Sequence, residues 1–312
     1  TMKKQKIICV VGPTASGKTE LGISLCKHFG GEVISADSMQ IYRDMHIASA
    51  APDSSEMQGV RHHLIEFLDY GAAFTVADYV KAARKKIAEI SARGKIPVIV
   101  GGTGLYINSL VNNVEFIESP ADIKLREQIA AEFDRAGGAE MLRRLSEIDP
   151  CAAAKLHEND RRRIIRAFEI YESTGNTKSF NDEQSVKNES PYAALIIGVA
   201  YRNRELLYER INRRVDIMLE KGLLEEAKIA FDKNLDCGAV QAIGHKEFFG
   251  FFKGESSLDE AVENLKRSTR RYAKRQLTWF NKDGRVKWIY KDETENAVAD
   301  AIKIAETEEN YG

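Results

Sequence analysis

Residues 12–19 of this 312-residue chain read Gly-Pro-Thr-Ala-Ser-Gly-Lys-Thr, and this stretch decides the fold. It matches the pattern G-x-x-x-x-G-K-[ST], a loop whose backbone N–H groups hold phosphate oxygens. The apolar residues 7–11 before it predict a buried strand, and Leu21, Leu25 and Phe29 after it recur at helical spacing. A strand, a glycine-rich turn and a helix N-terminus make an anion-binding cradle. We therefore predict a di- or triphosphate site formed by Gly12, Pro13, Thr14, Ala15, Ser16, Gly17, Lys18 and Thr19.

The residue types in this loop suit phosphate chemistry. Gly12 and Gly17 let the backbone approach phosphate oxygens without a clashing Cβ. Lys18 supplies a point charge for the outer phosphate oxygens, and Thr19 supplies a hydroxyl ligand for Mg²⁺. The motif predicts that a phosphate compound binds, but it identifies neither the compound nor the reaction.

The composition is that of an ordinary soluble globular protein, with 43% apolar and 30% charged residues. Its cysteines, Cys9, Cys26, Cys151 and Cys237, are scattered and form no C-x-x-C pair, which argues against a disulfide or metal framework. No apolar run approaches the roughly 18 residues of a membrane-spanning helix. We expect a cytoplasmic monomer with no membrane contact and no obligate protein partner.

Further strand patterns alternate with helical patterns, which predicts parallel βαβ units and a doubly wound α/β fold of the P-loop NTPase kind, with helices flanking the sheet. In such sheets, ligands bind at the carboxyl ends of the strands. The phosphate loop, Asp37 and Thr103 should therefore meet in one crevice. The additional strands are predicted at residues 32–36, 95–100, 193–200 and 286–290.

The pattern changes at about residue 119. Helical periodicity without strand patterns marks 122–136, 139–148 and 160–174, and the polar residues 176–191 are typical of a loop. We predict an all-helical insertion domain at 119–192. The α/β core then comprises 1–118 and 193–312, the latter with C-terminal helices that include a long one at about 257–281.

The predicted crevice contains few acidic residues. The strand at 95–100 ends in Gly101-Gly102-Thr103-Gly104, where phosphate-loop hydrolases often carry a carboxylate, so an ATPase or GTPase motor is disfavoured. Asp37 is the nearest acid; it either caps the following turn or acts as a base or metal ligand facing the phosphates. Arg213 and Arg214 form either a solvated helix face or a second cationic clamp on a diphosphate.

Two basic clusters suggest nucleic acid, although each also fits a solvated face. One contains Arg161, Arg162, Arg163 and Arg166, and the other spans 266–275, with six basic residues and no acid. Nearby aromatic side chains either stack on bases or pack in the core. His62 and His63 are adjacent on a strand and point to opposite faces, which disfavours a shared metal.

Six segments together resemble the bacterial tRNA dimethylallyltransferases. The resemblance implies transfer of the dimethylallyl group of dimethylallyl diphosphate to the exocyclic N6 of the adenosine 3′ of the tRNA anticodon, with release of diphosphate. The sequence departs from the family pattern at His245, where an aromatic residue is expected, and at Asn281, where a basic one is expected. The matching segments are GPTASGKT (12–19), SADSMQIYR (35–43), VGGTGLY (100–106), NDRRRIIRAFE (159–169), QAIGHKE (241–247) and YAKRQLTWF (272–280).

The resemblance also implies residue roles. Asp37 is expected to be the general base, Thr103 to bind near the amine and the bridging oxygen, and Lys18, Thr19 and Arg214 to hold the diphosphate. Mg²⁺ is expected on Thr19, with Asp37 as a second candidate ligand. A nucleoside kinase, a prenyltransferase for free adenine nucleotides and a non-catalytic RNA-binding switch stay open as alternatives. Expected tRNA contacts are Asp37, Ser38, Met39, Gln40, Arg162, Arg163, Ile164, Ile165, Arg166, Gln241, Gly244, His245, Arg271, Lys274, Arg275, Gln276 and Trp279.

Overall fold

The computed structural model describes residues 4–116, 122–185, 189–233, 239 and 242–308. The chain divides into two compact units: Thr1–Val111 with Ser190–Gly312, and Asn112–Glu189. The second unit starts before the predicted boundary at 119. No helix in the described segments has both the length and the apolar character that crossing a bilayer would need.

A parallel six-stranded sheet forms the centre of the larger unit, as predicted. Its strand order is β3-β2-β4-β1-β5-β6. The strand β3 was missed because a two-residue strand is too short to show a periodic pattern. The strands are β1 (Gln5–Val11), β2 (Glu32–Ser35), β3 (His62–His63), β4 (Pro97–Gly101), β5 (Tyr192–Ala200) and β6 (Lys287–Tyr290).

Helices cover both faces of this sheet. Alternate residues of β1 point to opposite faces, so Ile7 and Cys9 join one apolar core while Ile8 and Val10 join the other. Each fully buried aliphatic side chain contributes about 1.5–3 kcal/mol. The helices of this unit are α1 (Lys18–Phe29), α2 (His46–Ser49), α3 (Val76–Ala92), α4 (Gly104–Val111), α10 (Arg204–Glu220), α11 (Leu223–Asp232), α12 (Phe249–Phe252), α13 (Leu258–Phe280) and α14 (Ala297–Thr307).

The smaller unit is helical in its described residues, around a core that contains Ile129, Phe133, Leu145 and Phe168. Residues 176–191 were predicted to be a loop, yet α9 forms within them. This helix buries none of its side chains, so it has no apolar stripe to reveal it, and a Lys178–Asp182 ion pair supports it locally. The helices are α5 (Ile123–Ala136), α6 (Gly138–Ile148), α7 (Pro150–Ala153), α8 (Arg161–Thr174) and α9 (Lys178–Ser185).

Candidate active site

The phosphate loop connects β1 to α1 in a shape that requires glycine. Gly12 has φ of +144° and Gly17, the residue before α1, has φ of +92°. A Cβ on Gly12 would lie 2.2 Å from the carbonyl oxygen of Val199 on the neighbouring strand. The close approach to β5 and the left-handed backbone together exclude a side chain at this position.

Lys18 forms no ion pair with an acid among the described residues, although the charge of Asp37 acts on it. Its Nζ donates a hydrogen bond to the carbonyl oxygen of Pro13 at 2.6 Å. Burial, followed by the nearby charge of Arg214, lowers the pKa of Lys18 to about 7. Burial likewise lowers the pKa of Arg214, although Asp37 opposes the shift. Two desolvated cations with lowered pKa values indicate a site that an anion would stabilise.

Asp37 follows β2 and performs one of its two predicted roles within the protein itself. Its Oδ1 accepts hydrogen bonds from the backbone N–H groups of Met39 at 2.8 Å and Gln40 at 3.4 Å, so it caps the turn. Within the described residues, Oδ2 accepts no hydrogen bond, and Asp37 lines the cleft that contains Lys18. The cap fixes the carboxylate and leaves one oxygen for chemistry.

Thr103 follows β4 and is joined to the Asp37 turn. The backbone N–H of Thr103 donates to the carbonyl oxygen of Ala36 at 3.1 Å, and its Oγ1 accepts from the N–H of Ser38, also at 3.1 Å. The predicted convergence of the loops after β2 and β4 is therefore present in the structure. The loop after β4 reads Gly102-Thr103-Gly104 and contains no acidic residue.

Gln276 of α13 ties the phosphate loop to the loop after β4. Its Oε1 accepts from the N–H of Thr14 at 2.8 Å, and its Nε2 donates to the carbonyl oxygen of Gly102 at 3.0 Å. This residue was predicted to contact tRNA, but it is buried and holds the two loops together instead. Its place among apolar residues on one face of the helix pattern is the signal that predicts burial.

These loops border a cleft of about 900 Å³. Its lining also includes Ile47, Ala48 and Met218, which supply apolar surface suited to a hydrocarbon group. Arg210 on α10 donates from Nε to the carbonyl oxygen of Ala15 at 3.0 Å and so steadies the phosphate loop. Arg213 and Arg214 both line the cleft; Arg213 is exposed, while Arg214 is partly buried.

Other positions predicted to face tRNA differ in exposure within the larger unit. Arg271, Lys274, Arg275 and Trp279 of α13 are exposed, whereas Ser38, Met39 and Gln40 are partly buried beside Asp37. Gly244 is buried and has φ of +110°. Gln241 lies outside the described residues.

His245 is also buried, contrary to the expectation that it contacts tRNA. Its Nε2 is 2.9 Å from Glu226 Oε1, and its Nδ1 is 3.1 Å from the hydroxyl oxygen of Tyr70. Glu226 in turn accepts the N–H groups of Ile47 and Ala48 at 2.7 and 2.9 Å. His245 therefore supports the cleft wall, which the sequence pattern did not reveal.

The basic cluster of the smaller unit lies on α8. Arg162 and Arg163 are exposed, and Arg166 pairs with the buried carboxylate of Glu169 at 2.9 Å. Ile164 and Ile165 were expected to face tRNA, but they are buried in the core of this unit. Side chains packed in a core have no surface to offer RNA, so they leave the set of candidate contacts.

Sequence comparison assigns the chain to a family of transferases. Residues 40–283 match the family model described as IPP transferase. The tRNA dimethylallyltransferases of Acetivibrio thermocellus and Bacillus subtilis are each 48% identical to the chain, over 92% of it and over 92% and 91% of their own lengths, respectively.

Two solved structures are similar over nearly the whole chain. The full-length tRNA isopentenylpyrophosphate transferase of Bacillus halodurans has a TM-score of 0.73 at 42% identity, covering 99% of this chain and 97% of that one. A eukaryotic dimethylallyltransferase acting on tRNA has a TM-score of 0.81 at 30% identity, covering 96% of this chain and 78% of that one. The predicted resemblance is thus confirmed: the chain belongs to the IPP transferase family and is a prenyltransferase related to the tRNA dimethylallyltransferases.

Proposed function

We propose that the chain transfers the dimethylallyl group of dimethylallyl diphosphate to the exocyclic N6 of the adenosine 3′ of the anticodon in tRNA. The observation that carries the proposal is the pairing of a phosphate loop with a fixed carboxylate, Asp37, that has one oxygen to spare. A phosphate loop stabilises the departing diphosphate, and a carboxylate removes a proton from the attacking amine.

The leaving group accounts for the cations. The bond between C1 of the allyl group and the bridging oxygen breaks with carbocation character, so negative charge develops on the diphosphate. We assign Lys18, Arg214 and the loop N–H groups to that charge, because fixed donors of this kind stabilise a transition state without reorganising. The lowered pKa values of Lys18 and Arg214 support this role.

Magnesium fits the residues that line the loop. Thr19 lines the cleft, and its hydroxyl forms no hydrogen bond with the described residues. Mg²⁺ usually binds through one or two protein oxygens, substrate phosphates and several waters, and this agrees with the lack of any three-ligand acidic or histidine cluster in the described segments. Bound through Thr19, with Asp37 as a second candidate ligand, Mg²⁺ would supply charge neutralisation for the diphosphate.

Asp37 completes the reaction. The N6–C1 bond forms as the C1–O bond breaks, and the proton of the amine passes to Oδ2 of Asp37. An aryl amine becomes acidic only as it bonds to carbon, so a carboxylate serves as its base late in the step. Thr103 is linked to the Asp37 turn through Ser38, which supports the proposal that Thr103 contacts the same amine.

The acceptor is a macromolecule in this proposal. Exposed Arg271, Lys274 and Arg275 on α13, and Arg162 and Arg163 on α8, are suited to phosphate contacts. The helical domain containing α8 is proposed to face the tRNA, whose target base must leave its stack to reach Asp37. Exposed Trp279 offers a ring for base stacking. The cytoplasmic location and monomeric state stay predictions.

The test is incubation of the protein with unmodified tRNA, Mg²⁺ and labelled dimethylallyl diphosphate. We expect label in RNA and stoichiometric release of diphosphate, both abolished by a chelator. Free AMP and γ-labelled ATP serve as competing substrates. Label on AMP but not on tRNA, or phosphoryl transfer from ATP, would assign a different activity.

A further inference from the structure

Lys291 lies beside the phosphate loop but belongs to none of the motifs. It follows β6, and its backbone N–H donates to the carbonyl oxygen of Ala200 at 2.9 Å, which anchors it next to the end of β5. Its side chain reaches toward Gly17, where an added Cβ would be 2.9 Å from Lys291 Nζ. The ammonium group is therefore held against the residue at the N-terminus of α1.

The partner of this ammonium is weak. Lys291 Nζ is 3.1 Å from Glu20 Oε2, and within the described residues this is its sole ion pair. The Glu20 side chain is 66% exposed, while that of Lys291 is 24% exposed. Exposed ion pairs contribute only about 0–1 kcal/mol, so a doubly charged phosphate competes readily for Lys291.

The Lys291–Glu20 pair borders the predicted phosphate site, because Gly17 and Glu20 both line the cleft that contains Lys18. The free N–H groups of the first turn of α1 and the positive end of its dipole favour an anion there. Glu20 in that turn is a negative charge of the protein itself at this position. When an anion binds, the same carboxylate becomes a like charge beside it.

We propose that Lys291 is a diphosphate-binding residue that exchanges Glu20 for the outer phosphate of the substrate. The proposal rests on the proposed function, because it takes the ligand to be a diphosphate. Lys18 and Arg214 lie with Asp37 at the reacting end, and Lys291 adds a cation on the side of the loop beyond Gly17. Glu20 is then a placeholder that opposes diphosphate binding.

Because Lys291 is proposed to favour diphosphate binding and Glu20 to oppose it, their removal should change the affinity in opposite directions. Binding of inorganic diphosphate with Mg²⁺ to the full chain is measured by calorimetry for wild type, Lys291→Gln and Glu20→Gln. Losing one charge-assisted contact should weaken Lys291→Gln about tenfold. Glu20→Gln should bind at least as tightly as wild type, with a gain of about two- to fivefold at low salt that shrinks as salt screens the repulsion.

Lys287→Gln is the matched control. Lys287 begins β6, the strand that Lys291 follows, and pairs with Glu308 at 2.8 Å, so the variant removes the same charge and a similar surface ion pair. It should bind diphosphate as wild type does. Equal weakening in Lys287→Gln and Lys291→Gln would reduce the effect to net charge and overturn the proposal.

Two further outcomes would also overturn it. The first is that Lys291→Gln binds diphosphate as tightly as wild type. The second is that Glu20→Gln is weakened as much as Lys291→Gln, which is the pattern of a merely structural pair. Failure of the proposed function looks different, because the wild-type protein would then leave tRNA unlabelled. Its affinity for inorganic diphosphate would nevertheless depend on Lys291, so the two failures are separable.

Discussion

The two ends of β2 carry carboxylates in contrasting surroundings. Glu32 begins the strand and is 2% exposed. It accepts hydrogen bonds from His63 Nε2 at 2.7 Å, Arg93 Nη2 at 2.6 Å and Lys95 Nζ at 2.9 Å. Asp37, just beyond the other end, caps its own turn with one oxygen and leaves the second without a hydrogen bond from the described residues.

The contrast separates a carboxylate that is fully paired, Glu32, from the one proposed as the base, Asp37. Burial alone would raise the pKa of Glu32, but its hydrogen bonds from His63, Lys95 and Arg93 outweigh burial and lower the pKa to about 2. Its cations are fully engaged with it. At the other end of the strand, Lys18 and Arg214 make no ion pair with a carboxylate of the described residues, and burial lowers the pKa of both.

Asp37→Asn should give the largest effect, because it removes the carboxylate that we propose as the base. Asn keeps an Oδ1 that can cap the turn but removes the base, and a positioned base typically contributes 10²–10⁴-fold. We expect single-turnover transfer to slow by about 100-fold or more. Diphosphate binding should persist, and unfolding should occur near the wild-type denaturant midpoint.

Rapid-quench measurement with saturating tRNA and dimethylallyl diphosphate checks this expectation. Asp53→Asn is a control, because Asp53 caps an exposed turn through Ser55 and Glu56 in the same manner. A wild-type single-turnover rate in Asp37→Asn would remove Asp37 from the role of base.

Glu32→Ala should have the next largest effect and tests the Glu32 end of β2. Removing one partner of a buried ion pair costs about 3–5 kcal/mol. We expect the lower end, about 3 kcal/mol, because Arg93 and Lys95 are 39% and 47% exposed and can turn to water. Urea unfolding at neutral pH measures the loss, while turnover per folded molecule should stay close to wild type.

The acid dependence of Glu32 has a definite sign. Its pKa falls from 4.5 to about 2 on folding, so its stabilisation is complete above 4.5 and is lost as pH falls toward 2. The stability gap between wild type and Glu32→Gln should therefore narrow on acidification below pH 4.5. A gap that stays constant down to pH 3 would mean that the charge of Glu32 does not stabilise the fold.

The sequence predicted the Asp37 end of β2 better than the Glu32 end. The phosphate-loop motif and its flanking strand and helix place Lys18 at the carboxyl end of a strand, and Asp37 follows the next strand pattern. The Glu32 cluster joins residues from β2, β3 and the end of α3, and no periodic pattern reports such a meeting. The short β3 that brings His63 there was not predicted either.

Side-chain direction explains the other differences. The resemblance marked Ile164 and Ile165 along with Arg162 and Arg163, but it identifies positions and not the way side chains point. On α8, Ile164, Ile165 and Phe168 share helical spacing and pack into a core. Periodicity alone would have separated them from the arginines, so it was the better guide at these positions.

The smallest expected effect is the pH dependence of diphosphate binding through Lys18, which tests the cations at the Asp37 end of β2. Its pKa falls from 10.5 to about 7 because burial and the nearby charge of Arg214 lower it by more than the charge of Asp37 raises it. A bound diphosphate would restore the charged form, so binding takes up a proton above pH 7. Affinity for inorganic diphosphate should then fall as pH rises, by at most about tenfold per pH unit.

The control is Lys18→Met, which should bind diphosphate more weakly. It lacks the ammonium group, so the pH dependence of its binding reports the titration of the ligand alone. Calorimetry at several pH values, in buffers of different ionisation enthalpy, should show proton uptake by wild type in excess of that by Lys18→Met. If the affinity of the two proteins for diphosphate changed equally with pH, Lys18 would be charged before diphosphate binds. The contrast with the Glu32 cluster would then depend on Asp37 alone.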